Sequence, residues 1–180
     1  MPFAQSRAAG LAATAALVAA CATSSPIAVP EAPASLRAPA GQKLFLEAQA
    51  TGVQIYECAP KADQPGTFEW AFRGPEANLA DRAGNTIGRH YGGPTWEAND
   101  GSKVVADVKA RDPGPKASAI PWLLLSARSS WGYGVMAKTA SIQRLNTVGG
   151  IAPTTACDAG SVKQMARVPY TATYYFYSAP

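Results

Sequence analysis

The stretch RHYGGPTWEANDGSKVVA, residues 89–106, decides the fold because strand-forming and turn-forming residues alternate along it. Two aromatic-containing pieces, at 90–91 and around Trp96, are separated by Gly-Gly-Pro, and the turn sequence Asn-Asp-Gly follows at 99–101. Glycine, proline, asparagine and aspartate favour tight turns, whereas aromatic and β-branched residues favour strands. The stretch therefore predicts short antiparallel strands that present polar side chains at the edge of a sheet.

The same pattern continues on both sides of this stretch. Strand-like segments punctuated by glycine- and proline-rich turns lie at 43–58, 67–73, 103–108, 120–127, 141–145 and 169–178. The run IPWLLLSA at 120–127 is apolar throughout, which is typical of a strand buried on both faces. The 15 prolines would interrupt helices repeatedly. We therefore expect an all-β fold: a single antiparallel β-sandwich or barrel-like domain of about 8–10 short strands over residues 42–180, with little helix outside the signal peptide.

The first 22 residues indicate export, because Arg7 precedes the apolar run LAATAALVAA and small residues follow. The triplet Val-Ala-Ala directly before Cys21 resembles a lipobox, in which the cysteine receives acyl chains such as palmitate and becomes the mature N-terminus. Alanine after Cys21 favours an outer-membrane or periplasm-facing lipoprotein. Cleavage after the Ala-Cys-Ala triplet stays open as an alternative, and it would release a soluble periplasmic or secreted protein. Residues 23–41, rich in Pro, Ala and Ser, predict a flexible extended tether.

Two cysteines remain once Cys21 is acylated. Cys58 and Cys157 form an even pair in an oxidising compartment, so we expect a disulfide bond that closes a loop of roughly 100 residues. A zinc site needs three or four nitrogen or sulfur ligands, which one histidine and two distant cysteines do not supply. No metal is expected.

His90, the only histidine, is the candidate catalytic residue because its reference pKa of about 6.5 lies near physiological pH. Glu97 or Asp100 could orient it as a general base in hydrolysis. A nucleophile is missing, since the chain has no G-x-S-x-G elbow. In the structural alternative, His90 hydrogen-bonds a loop carbonyl and thereby holds the GGPTW turn.

The same stretch is also the candidate binding site. Tyr91 and Trp96 could form an aromatic platform for a sugar or peptide, with His90 and Glu97 as polar contacts. The alternative for Trp96 is a place in the core. Three oxygen-bearing side chains on the turn at 97–100 are too few for Ca²⁺. Asp100 is then expected to cap the turn by accepting hydrogen bonds from backbone N–H groups.

Two other ligand classes are excluded by the sequence. The segment 132–137 matches G-x-G-x-x-A, but it lacks the alternating strands and helices of a dinucleotide-binding unit, so no cofactor is expected. The chain has a formal net charge of +4, but its basic residues are scattered and are not interleaved with aromatic residues. Nucleic acid is therefore not an expected partner.

Six segments together resemble a known family. They are GVQIYEC at 52–58, FEWAF at 68–72, RHYGGPTWEANDGS at 89–102, IPWLLL at 120–125, IQRLNTVGG at 142–150 and PYTATYYFY at 169–177. In this order they are similar to the domain of unknown function 3455 family of exported bacterial and fungal proteins. The resemblance implies export and one domain, and it brings no established activity.

These observations favour a non-enzymatic envelope protein, anchored to the membrane through its N-terminal lipid. Its β domain would present the loop at 90–100 to an envelope glycan or protein. One alternative is a hydrolase that uses His90 with Glu97 or Asp100. Another is a purely structural envelope component, in which His90 contributes to stability alone.

Overall fold

The computed structural model describes residues 26–180, and the predicted signal peptide with Cys21 lies outside them. Eight antiparallel strands pair in sequence order and close into a barrel, because the last strand pairs with the first. The all-β prediction is confirmed, and the chain adopts the barrel rather than the sandwich. The strands are β1 (Lys43–Pro60), β2 (Phe68–Ala80), β3 (Thr86–Tyr91), β4 (Thr95–Ala98), β5 (Lys103–Asp112), β6 (Trp122–Trp131), β7 (Thr139–Gly149) and β8 (Met165–Ser178).

The helical content of the described residues is two short 3₁₀ turns, Ala34–Leu36 and Val135–Lys138. Within residues 26–180, no helix has the length and apolar character needed to cross a membrane.

Complementary side-chain sizes allow β1 and β8 to close the barrel. Tyr170 and Tyr174 on β8 face the interior directly opposite Gly52 and Ala48 of β1. Small residues on one strand leave the volume that the large rings on the other strand occupy, as close packing of an interior requires. The aromatic-rich sequence of β8 therefore fills the barrel core.

One end of the barrel is closed by the connection between β6 and β7. Met136, in the 3₁₀ turn Val135–Lys138, is fully buried in the core cluster. Its backbone N–H donates to Ser102 Oγ at 3.0 Å, which ties this turn to the β4–β5 connection. At the other end, the β5–β6 and β7–β8 connections span residues 113–121 and 150–164.

The segment before β1 packs on the outside of the barrel. Leu36 is fully buried against Leu145, Tyr175 and Tyr177, and its carbonyl accepts a hydrogen bond from Gln143 Nε2 at 2.6 Å. This part of the predicted tether is therefore not an unpacked spacer, because it covers an apolar outer face.

The same cover explains the apolar run on β6. Leu123 and Leu125 point into the barrel, while Trp122 and Leu124 pack beneath the N-terminal segment. Both faces of the strand are covered, as an apolar strand sequence without alternation predicts.

The predicted disulfide bond between Cys58 and Cys157 is present, with an S–S distance of 2.02 Å. It joins the end of β1 to the long connection between β7 and β8. Backbone hydrogen bonds of 2.9 Å join the Cys58 N–H to the Gln164 carbonyl and the Lys163 N–H to the Cys58 carbonyl. The disulfide bond therefore links the longest connection between strands of the described chain to the end of β1.

Candidate functional site in the mouth of the barrel

The residues predicted to form a site lie on opposite faces of one hairpin. His90 pairs with Trp96 across β3 and β4, and both side chains are buried inside the barrel. Tyr91 and Glu97 are the next residues along their strands and point outward, because successive side chains of a strand alternate between faces. The structure thus brings His90 together with Trp96 and separates both from Glu97.

Glu97 belongs to a cluster on the outer surface. Its Oε2 accepts a hydrogen bond from the Tyr91 hydroxyl at 2.7 Å and lies 3.0 Å from Arg89 Nη2 and 3.3 Å from Lys103 Nζ. The hydrogen bond from Tyr91, helped by the two cations, holds the Glu97 pKa below its usual range. The carboxylate is held by these three partners and does not orient His90.

Asp100 lies at the closed end of the barrel. Its carboxylate accepts hydrogen bonds from the Ser102 N–H and hydroxyl at 2.9 and 2.5 Å and from the Val135 N–H at 2.8 Å. These bonds, the one from the Ser102 hydroxyl first, lower the pKa of Asp100. A side chain at Gly134 would collide with this carboxylate, since a Cβ there would lie 2.1 Å from Asp100 Oδ2. Asp100 therefore caps two connections, and it does not approach His90.

His90 is held as a neutral, buried imidazole. Its side chain is 3% exposed, and Nδ1 lies 2.8 Å from the Thr95 carbonyl oxygen. A carbonyl oxygen can only accept a hydrogen bond, so Nδ1 carries the proton and Nε2 keeps its lone pair. Burial is the main cause that lowers the His90 pKa to about 3. This contact is the one expected if His90 holds the GGPTW turn, and it leaves a weak base at neutral pH.

A cavity of about 290 Å³ opens at the end of the barrel opposite Met136. Pro94 of the β3–β4 turn and Ile120 and Pro121 of the β5–β6 connection lie at its rim. Its walls combine apolar side chains with a smaller polar set and contain no aspartate or glutamate. The polar and amphipathic members are Gln54, Tyr56, His90, Trp96, Arg111, Arg144 and Tyr174.

Three polar atoms of these walls are buried and make no hydrogen bond of ordinary length and angle. They are Gln54 Nε2, Trp96 Nε1 and the Tyr174 hydroxyl. Leaving a buried donor unpaired costs about 1–3 kcal/mol, so native proteins retain few such groups. Tyr170 interacts with Gln54 and Tyr174, and Arg144 interacts with Tyr174, so two of the three groups are partly paired within the wall and Trp96 Nε1 is left without a partner.

Arg144 brings a positive charge into the same cavity. It stands on β7 between Leu123 of β6 and Tyr174 of β8, which are its direct cross-strand neighbours. Its Nη2 and Nε atoms donate to the Pro121 carbonyl at 2.8 and 3.2 Å, and no carboxylate pairs with it among residues 26–180. Its positive charge opposes the rise in pKa that burial causes at Tyr56, Tyr170 and Tyr174. It also adds to the lowering of the His90 pKa. The cavity therefore has a cationic wall.

Arg144 and Gln54 are site residues that were not predicted from the sequence. A signal for Arg144 was available, because period-two alternation on β7 places it on the same face as the buried Ile142. An arginine at an inward position on an apolar strand face is unusual unless its charge is paired.

No group of three or more His, Cys, Asp or Glu residues in the range 26–180 is placed to hold a metal ion. The G-x-G-x-x-A segment forms a loop and a 3₁₀ turn between two antiparallel strands. It does not open a helix after a parallel strand, which is the context that dinucleotide binding requires.

The architecture is that of an up-and-down antiparallel β-barrel with a small, partly polar cavity at one end. Within this class, the chain belongs to the family described as "Protein of unknown function (DUF3455)", whose profile matches residues 39–178. The family resemblance drawn from the six sequence segments is thereby confirmed. Comparisons with curated proteins and with solved structures found no match.

Proposed function

We propose that this protein is an exported, lipid-anchored envelope protein whose barrel binds a small molecule in its mouth and catalyses no reaction. Export and anchoring are inferred from the N-terminal sequence with Cys21. Binding in the cavity replaces the expected surface platform, because Trp96 faces the interior while Tyr91 faces outward.

The polar side chains in the cavity wall support binding most directly. Gln54, Trp96 and Tyr174 come from β1, β4 and β8. Trp96 Nε1 has no protein partner, while Gln54 is only partly paired with Tyr170, and Tyr174 with Tyr170 and Arg144. Strands from two sides of the barrel thus place polar side chains in the wall of a volume near the lower limit of ordinary ligand pockets. A ligand with acceptor atoms would pair with these groups once their side chains turn toward the cavity, because the polar atoms themselves are almost fully covered.

The hydrolase alternative finds less support in the same geometry. General base catalysis needs an imidazole within reach of substrate and oriented for proton transfer. The His90 Nδ1 proton is directed at the Thr95 carbonyl, and Glu97 and Asp100 have other partners. No nucleophile and base in hydrogen-bond contact are present among the cavity residues.

Binding can be tested with the indole N–H of Trp96 as the reporter. We would titrate a library of small organic molecules and envelope disaccharides into ¹⁵N-labelled protein and follow the four tryptophan indole signals by NMR. A cavity ligand should shift the Trp96 signal more than those of Trp70, Trp122 and Trp131.

A matched pair of variants locates the binding. Val108 lies in the cavity wall, and Val148 is exposed on the outer surface. Val108→Trp should narrow the cavity and abolish the Trp96 response, whereas Val148→Trp should leave it intact. Ligands that bind equally well to both variants, or a library without any Trp96 response, would refute the proposal.

A further inference from the structure

Resting on the proposed function, we infer that the cavity selects a small organic acid, with one carboxylate on an apolar body of one or two rings or an equivalent chain. The carboxylate would pair with Arg144 and Arg111, and the body would lie against the apolar wall.

Arg111 and Arg144 stand in one row of the barrel wall. Arg111 is directly opposite Leu123, and Leu123 is directly opposite Arg144 on the next strand. Neighbouring strands lie about 4.8 Å apart, so the two arginine backbones are separated by about 10 Å. Side chains as long as arginine can converge across that distance on a single anion between them.

These two arginines differ from those elsewhere on the barrel. Arg73, Arg89, Arg128 and Arg167 each form an ion pair with an aspartate or glutamate. Arg111 and Arg144 have no such partner among residues 26–180, and both line the cavity. A guanidinium has five N–H donors and remains charged. Among the six arginines that lie in the eight strands, only the two that line the cavity have no carboxylate partner.

The remaining polar atoms have the matching character. Trp96 Nε1 and Gln54 Nε2 are donors, and the Tyr174 hydroxyl can also donate. A carboxylate has two oxygens and about four acceptor positions, so it can accept from an arginine and from neutral donors together. A cationic ligand would find no acidic residue in these walls.

Apolar side chains form the rest of the cavity wall. They include Phe72, Pro75, Ile120 and Leu125. Burial of a ring or short chain against them would contribute about 25 cal/mol for each Å² of apolar surface removed from water. A bare inorganic anion would leave this wall without a partner, and for that reason an organic acid fits better.

The test compares acids with their neutral amides. Acetate, hexanoate, benzoate and phenylacetate would be titrated alongside acetamide, hexanamide, benzamide and phenylacetamide at pH 7, by calorimetry and by the Trp96 indole signal. At least one of the three larger acids should bind ten-fold or more tightly than its amide. Acetate should bind more weakly than these acids, because it lacks the apolar body.

Charge variants assign the preference to the two arginines. Arg144→Gln should remove the preference for acid over amide, and Arg111→Gln should reduce it several-fold. Arg128→Gln is the control on the outer surface, where the arginine pairs with Asp107, and it should leave binding unchanged. Arg144→Lys keeps the charge but loses the planar fork, so it should retain part of the preference. Thermal unfolding of each variant shows that the comparison is made on folded protein.

The outcomes separate this inference from the proposed function. If amides bind as tightly as acids and Val108→Trp abolishes both, the cavity binds ligands but the anion inference is wrong. If the acid preference persists in Arg144→Gln and Arg111→Gln alike, the inference is also wrong. If neither acids, amides nor library members affect Trp96, both proposals fail.

Discussion

The imidazole of His90 stacks on the indole of Trp96, with ring centroids 4.2 Å apart and ring planes inclined by 12°. Tyr174 meets the imidazole edge-on, with centroids 5.2 Å apart. The only histidine of the chain is therefore enclosed by aromatic rings in the wall of the cavity. A charged imidazolium would lose its hydration there, which explains why burial favours the neutral form.

This enclosure predicts acid sensitivity. His90 has a pKa of about 3 in the folded protein and about 6.5 when unfolded, so the unfolded state alone takes up a proton between these values. The contribution of the neutral imidazole to the free energy of unfolding is then fully present well above pH 6.5 and decreases as the pH falls. The free energy of unfolding should drop by about 2 kcal/mol from pH 7 to pH 5. Urea unfolding monitored at several pH values measures the slope.

A single substitution provides the control for this prediction. His90→Gln removes the titrating group, so the variant should show a nearly flat profile between pH 7 and pH 5. The carboxylates whose pKa values are lowered, such as Glu97 and Asp100, titrate below this window and do not interfere. Equal slopes in the two proteins would contradict the buried neutral state.

Glu97→Gln should leave ligand binding in the cavity unchanged. The carboxylate lies on the outer face with Tyr91, Arg89 and Lys103, separated from the interior by the sheet itself. Calorimetric titration with the tightest-binding acid would measure this, with Arg144→Gln as the positive control. A loss of binding comparable to that of Arg144→Gln would show that the outer cluster takes part in the site.

The disulfide bond should be a major source of stability. The bridge joins residues 99 positions apart, and closure of a loop of this size contributes about 4–5 kcal/mol on the chain-entropy model. The double variant Cys58→Ser and Cys157→Ser should lose stability of this order in urea unfolding. Reduction of the unmodified protein should produce the same loss. A urea unfolding midpoint that is the same in the unmodified protein, the double variant and the reduced protein would contradict the prediction.

Leu36→Ala should destabilise the barrel although Leu36 precedes the first strand. The side chain is fully buried, and truncation of a buried leucine costs about 2–5 kcal/mol. Val29→Ala is the matched control, because Val29 is 72% exposed. Equal unfolding free energies for the two variants would show that the N-terminal segment does not contribute to the core.

Cys21→Ala should abolish acylation and shift the protein from the membrane fraction to the soluble fraction. Several acyl chains anchor a protein firmly, since each buried CH₂ contributes about 0.8 kcal/mol. Mass spectrometry of the mature N-terminus identifies the modification directly. An unmodified Cys21, or a membrane fraction that the substitution does not change, would contradict the anchoring proposal.

Much of the fold could be predicted from local patterns. The alternation around β1, β2 and β8 predicts strands because the side-chain period is a local property of extended backbone. The choice between sandwich and barrel could not be made in this way, since it depends on whether β8 reaches β1. That pairing joins residues more than a hundred positions apart, such as Ala48 and Tyr174.

The candidate site was predicted in part. His90 and Trp96 are in the cavity wall, but Tyr91 and Glu97 were grouped with them because they are close in sequence. The alternation of side chains that identifies the strands also places His90 and Trp96 on the inner face of the sheet and Tyr91 and Glu97 on its outer face. Arg144 was missed because its importance comes from the absence of an acidic partner, which only the packed structure reveals.

The sequence by itself determined the strand pattern, the turns, the pairing of the two remaining cysteines and the family, because each depends on residue type and short-range order. The tertiary structure alone decided which faces point inward, where the N-terminal segment packs, and that Gln54, Trp96 and Arg144 share one cavity. These residues stand on β1, β4 and β7, and only closure of the sheet brings such distant strands around a common interior.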